Sequence, residues 1–183
     1  PLFITKRFRQ MFQKILSLIG LGALPIFLQV TIFNHIHLLG YATPLAYIYL
    51  LLKLPSTTSR TLYLLLGFFV GIVIDLFSNT PGMTAASLCA IGLITPRVFN
   101  AFVPKEKGEE VLHPSVRTMG AKPFYLYAFF LTLTHCILFF SIETFSFFNI
   151  QTLLLKIVGS TALTFFLVFV FENLHPRRSK MNA

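Results

Sequence analysis

Apolar residues fall along this chain in six long blocks separated by short polar connections. The blocks run over Ile15–Phe33, Leu38–Leu54, Thr61–Ser78, Met83–Phe102, Pro123–Ile142 and Ile150–Phe171. Each is close to the ~20 residues needed to cross a hydrocarbon core of about 30 Å. The pattern predicts six transmembrane helices, with prolines inside three of them at Pro25, Pro44 and Pro96. Ahead of the first block, Ile4, Phe8, Met11, Phe12 and Ile15 recur at helical spacing among Lys6, Arg7, Arg9 and Lys14. That spacing predicts a basic interfacial helix. The longest hydrophilic segment is 103–122, and no internal repeat is visible.

Composition agrees. The chain is 55% hydrophobic and 11% charged, with mean hydropathy +0.76. A soluble domain carries about 25% charged residues, so a water-facing surface is excluded over most of the length. The formal net charge of +9 does not point to nucleic acid, because of where the cations sit. Lys6, Arg7, Arg9 and Lys14 precede span one, and Lys53 and Arg60 flank the second connection. Arg97, Lys105, Lys107, Arg117 and Lys122 surround the fourth, and Arg177, Arg178 and Lys180 lie in the tail. The first, third and fifth connections carry none, and of the 15 Lys and Arg only Lys156 stands apart. By the positive-inside rule this alternation predicts six spans with both ends in the cytoplasm. Cys89 and Cys136 lie inside apolar blocks and imply neither a disulfide framework nor a metal site.

The third block is the most informative stretch. Gly67, Gly71 and Asp75 recur every fourth residue, on one helical face. Asn79, Thr80, Pro81 and Gly82 then signal a sharp turn. Two glycines permit close helix packing, expected inside the bundle, since Asp75 on the same face would otherwise meet lipid. An ionisable group inside a span normally faces protein or water. Asp75 and Lys156 are predicted at similar depth below one surface. One reading pairs them across spans three and six; the other has Asp75 capping the turn while Lys156 snorkels. Arg97 either partners Glu172 or reaches the headgroups. His135 in span five reads as hydrogen-bonded to a neighbouring helix. His35 and His37 would need further ligands to bind metal. Phe145, Phe147 and Phe148 are expected in the last outer loop, against lipid or a partner. No catalytic, cofactor or metal motif is found, so an enzyme is not expected.

The pattern Gly67, Gly71, Asp75, Leu76, Pro81, Gly82, with Ala85 and Ala86 opening the next helix and Arg97 beside Pro96, resembles the rod shape-determining protein MreD family. Six spans depart from the five often drawn for that family. The resemblance implies an all-α integral membrane protein, similar in fold to the substrate-binding subunits of energy-coupling-factor transporters. It implies residence in the bacterial cytoplasmic membrane and a non-enzymatic scaffold role in cell-wall elongation. The implied partners are MreC, a single-span protein, then RodA and a class B penicillin-binding protein. MreB is a further candidate at the 103–122 loop. The residues expected to pack helices or partners are Gly67, Gly71, Asp75, Pro81, Gly82, Arg97 and Lys156. The alternative is a vitamin-like small-molecule binding subunit of a transporter. It predicts a polar cavity on the outer side.

Overall fold

The computed structural model describes residues 20, 22–35, 41–103, 113–144 and 149–174. The predicted basic helix before span one, the start of span one, His37, most of the 103–122 loop, the Phe145–Phe148 cluster and the basic tail lie outside the described residues. The elements are helical: α1 (Gly22–Thr31), a one-turn 3-10 helix (Phe33–His35), α2 (Ile48–Leu52), α3 (Arg60–Ser78), α4 (Met83–Phe102), α5 (Val116–Met119), α6 (Ala121–Thr144) and α7 (Ile150–Leu174).

Four of them, α3, α4, α6 and α7, are long and apolar enough to cross a membrane. Their bounds match the expected third to sixth spans to within three residues. The fold is an all-α membrane architecture. Its large exposed side chains fit lipid: Leu65, Phe69, Leu76 and Phe77 on α3, and Leu154, Val158 and Phe166 on α7, all stand outward.

The long helices form a row. α3 packs along α4, α4 along α6, and α6 along α7. Each link has a sequence cause. Tyr63, Gly67, Val70, Gly71, Ile74 and Asp75 form the buried stripe of α3, at the three- and four-residue spacing of one helix face. At the end of α3, Asn79 takes the left-handed conformation (φ 54°) and its N–H bonds the Asp75 carbonyl. Asparagine tolerates this backbone better than most residues. Gly82 (φ 80°) then opens α4. Asn34 donates to Ser78 Oγ at 2.7 Å, so α1 ends at the same end of the bundle as α3. This is called the turn end below.

The second expected span departs from the sequence reading. Residues 41–47 are not helical, and the helix that follows has five residues, Ile48–Leu52. The apolar run at 45–54 is not a lipid-facing rod. Every residue from Leu45 to Leu52, and Leu54, keeps at most 4% of its surface exposed. These residues are apolar because protein surrounds them. Pro44 disfavours helical backbone at the residue before it and removes an N–H, but Pro96 sits inside the intact α4, so the side chains that take up the amides of residues 43, 45 and 46 are also needed.

Candidate functional site

Two polar constellations and one buried ion-pair knot stand inside the apolar body. The first closes the α3–α4 turn. Asp75 is 6% exposed. Its Oδ1 accepts from Thr80 Oγ1 at 2.8 Å and from the Thr84 N–H at 2.9 Å. Its Oδ2 accepts from the Ala85 N–H at 3.0 Å. Gly82 at the cap position has no side chain to bond the first amides of α4. A carboxylate from the preceding helix does so instead, where the positive end of the helix dipole favours negative charge. Below it the two backbones touch. A Cβ on Gly71 would overlap the backbone of Ala85, and one on Gly67 would lie 2.9 Å from the Leu88 carbonyl oxygen. Gly67, Gly71, Asp75, Gly82 and Ala85 are thus parts of one helix hairpin. Pro81 lies within its turn.

Of the two readings for Asp75, the cap is the one observed. Lys156 does not reach it. Lys156 Nζ bonds Glu143 Oε1 at 3.1 Å. The reason is lateral: α4 and α6 lie between α3 and α7, so equal depth does not bring residues 75 and 156 together. Arg97 likewise does not pair with Glu172. It is exposed on α4, its Nη1 3.5 Å from its own helix carbonyl at Leu93.

Glu172 belongs to a knot at the opposite end of the bundle. Its Oε2 accepts from Lys53 Nζ at 2.8 Å and from the Tyr49 hydroxyl at 3.2 Å. Its Oε1 accepts from the Val116 N–H at 3.0 Å. Both charged side chains are below one-tenth exposed, and Lys53 also lies over the Phe124 ring, 5.4 Å from its centre. This ties α7, the end of the 41–54 segment and α5 together.

The second constellation holds the non-helical backbone. Ser160 Oγ accepts from the Thr43 N–H at 2.9 Å, and Thr164 Oγ1 from the Leu45 N–H at 2.9 Å. Gln29 Oε1 accepts from the Ala46 N–H at 2.8 Å. Gln29 Nε2 donates to the Pro44 carbonyl at 3.0 Å and to Asn34 Oδ1 at 3.0 Å. Pro44 has no N–H, so three side chains satisfy all the backbone N–H groups of residues 43–46. Ser160 and Thr164 lie 10 and 14 residues into α7, about 15 and 21 Å along it at ~1.5 Å per residue. Irregular backbone therefore sits at mid-membrane depth, where it is tolerated only if buried in protein. Further along, Tyr47 hydroxyl meets His135 Nε2 at 3.1 Å, and the Tyr127 hydroxyl donates to the Leu52 carbonyl at 3.4 Å. His135 is hydrogen-bonded to a neighbouring element, as expected.

Above this segment, at the turn end, a cavity of about 210 Å³ opens between α1, α3, α4 and α6. Its polar wall includes Gln29, Asn34, Thr43, Ser78, Thr80 and Glu143. Its opposite character comes from Tyr47, Phe77, Phe139 and Phe140. Among the described residues no group of three or more His, Cys, Asp or Glu is arranged to hold a metal ion.

The sequence reading missed Gln29, Ser160, Thr164, Lys53 and Glu143 as working residues. The available signals were Pro44 inside a would-be span, a glutamine in the first apolar block, and hydroxyls four apart on α7. No protein-family model, curated protein or solved structure matches this chain.

Proposed function

We propose that this chain is a membrane scaffold of the bacterial cell-wall elongation machinery, of the MreD type, with both chain ends in the cytoplasm. In this reading it binds an MreC-like single-span protein and through it RodA and a class B penicillin-binding protein, and meets MreB on the cytoplasmic side. The observation that carries it is the convergence of the motif residues: Gly67, Gly71, Asp75, Gly82 and Ala85 all meet in the α3–α4 hairpin. The pattern behind the resemblance thus has one physical purpose, a tightly packed and internally capped hairpin. Such a hairpin leaves the outer face of α3, with Leu65, Phe69 and Val73, as a rigid apolar surface for a partner's span. The test is affinity purification from membranes of the native host, with mass spectrometry of what comes along. A single-span protein with a periplasmic domain is expected. Its absence under conditions that retain other membrane complexes overturns the reading.

A second reading, the small-molecule binding subunit of a transporter, draws on the cavity at the turn end, though its size of about 210 Å³ limits the cargo to less than a vitamin. The same purification separates the two, because this reading requires a co-purifying nucleotide-hydrolysing partner.

A further inference from the structure

We propose that the turn-end cavity is a binding site for a small uncharged molecule that carries a flat apolar side and an amide-like donor and acceptor. The site is a property of this chain alone and depends on neither assembly proposed above.

Size sets the first limit. A dry cavity of about 150 Å³ takes benzene. At about 210 Å³ this one has room for a single small ring and one polar group, and not for a vitamin-sized molecule. Pockets between bundle helices, with apolar walls and a few convergent polar groups, are common ligand sites.

Chemistry sets the second limit. Much of the polar wall is already committed within the protein. Gln29 spends its amide on Pro44, Ala46 and Asn34, and Thr80 donates to Asp75. Two donors remain. Ser78 Oγ accepts from Asn34 Nδ2, which leaves the serine O–H to donate. The Asn34 amide keeps its second N–H. These face a ligand acceptor such as a carbonyl.

An acceptor on the protein also lacks a donor. Glu143 Oε1 holds Lys156, but Oε2 is shielded from solvent and has no hydrogen-bond partner among the described residues. A buried carboxylate oxygen without a donor is costly. The last torsion of a glutamate is soft, so a small rotation turns Oε2 into the cavity that Glu143 lines. A ligand N–H or O–H satisfies it there.

Charge sets the third limit. The Glu143 carboxylate opposes an anion. The Lys156 ammonium, 3.1 Å from that carboxylate and over the Phe140 ring, already neutralises it, so a second cation gains little. A neutral molecule meets neither penalty, and Phe77, Phe139 and Phe140 give its flat side an apolar wall.

Benzamide is the probe that fits, with benzoate and benzylamine as matched charged controls. Binding to the purified full-length chain in detergent micelles is read by saturation-transfer difference NMR and calorimetry. Wild type is expected to bind benzamide saturably at one site, with benzoate and benzylamine at least about tenfold weaker. Glu143→Gln should weaken benzamide by about tenfold, since the hydrogen bond then goes to a neutral amide oxygen instead of a carboxylate. Ile74→Phe, which fills the cavity from α3, should abolish saturable binding while far-UV circular dichroism stays that of wild type. Ser78→Val replaces it if that variant does not fold. Non-saturable partitioning alone, equal binding of benzoate or benzylamine, or unchanged binding in the filled variant overturns the proposal. A chain that recruits its single-span partner but binds no benzamide refutes this inference and leaves the scaffold reading intact.

Discussion

Replacing Asp75 by alanine removes the acceptor for three donors, two of them backbone N–H groups at the buried start of α4. The Thr80 hydroxyl can rotate away, but the Thr84 and Ala85 amides have no second partner in their own helix. Leaving a buried donor unsatisfied costs about 1–3 kcal/mol, so Asp75→Ala should cost about 2–6 kcal/mol. That is a large share of the ~5–15 kcal/mol by which a folded domain is stable. At about 2–4 °C per kcal/mol for a chain of this size, the melting temperature should fall by ~5–20 °C. Asp75→Asn should fall between alanine and wild type. Its amide oxygen still accepts one N–H, while its NH2 faces the other donor. The chain has no tryptophan, so far-UV circular dichroism in detergent is the suitable assay. The same experiment tests the alternative pairing. Asp75→Lys with Lys156→Asp should show additive losses, because the two residues share no partner. A loss under about 0.5 kcal/mol for Asp75→Ala, within the range of ordinary surface changes, refutes the cap. Rescue in the charge-swapped double variant refutes the helix order.

Further outcomes follow from the same geometry. Gly71→Ala should destabilise by about 1–3 kcal/mol through overpacking on Ala85, and more than Gly67→Ala, whose added carbon meets a carbonyl edge at 2.9 Å. The reverse order in thermal melts would contradict the contact. Ser160→Ala and Thr164→Val should each cost about 1–3 kcal/mol by orphaning the Thr43 and Leu45 amides. Hydrogen exchange should quicken at those two amides before it does in α3 or α4. Glu172→Leu should cost about 3–5 kcal/mol by leaving Lys53 buried without its partner, and adding Lys53→Met should recover part of it. No recovery would mean the pair is not energetically coupled.

The long rods are legible in the amino-acid pattern. Hydropathy and length located α3, α4, α6 and α7 to within three residues, because a helix that crosses lipid must satisfy its backbone internally and show apolar side chains outward. The four-residue spacing of Gly67, Gly71 and Asp75 also predicted a shared buried face, since that periodicity is a local property of the helix. Lateral order, and which apolar residues meet protein rather than lipid, emerge only from the packing. Asp75 and Lys156 were expected at similar depth, yet α4 and α6 separate their helices, and nothing in the local pattern carries that distance. Leu45–Leu54 is as apolar as a span, but hydrophobicity measures only the avoidance of water. It does not tell lipid from protein. The distinction rests on Gln29, Ser160 and Thr164, remote residues that take up the free amides of residues 43–46. Their role exists only once the chain has brought α1 and α7 beside Pro44.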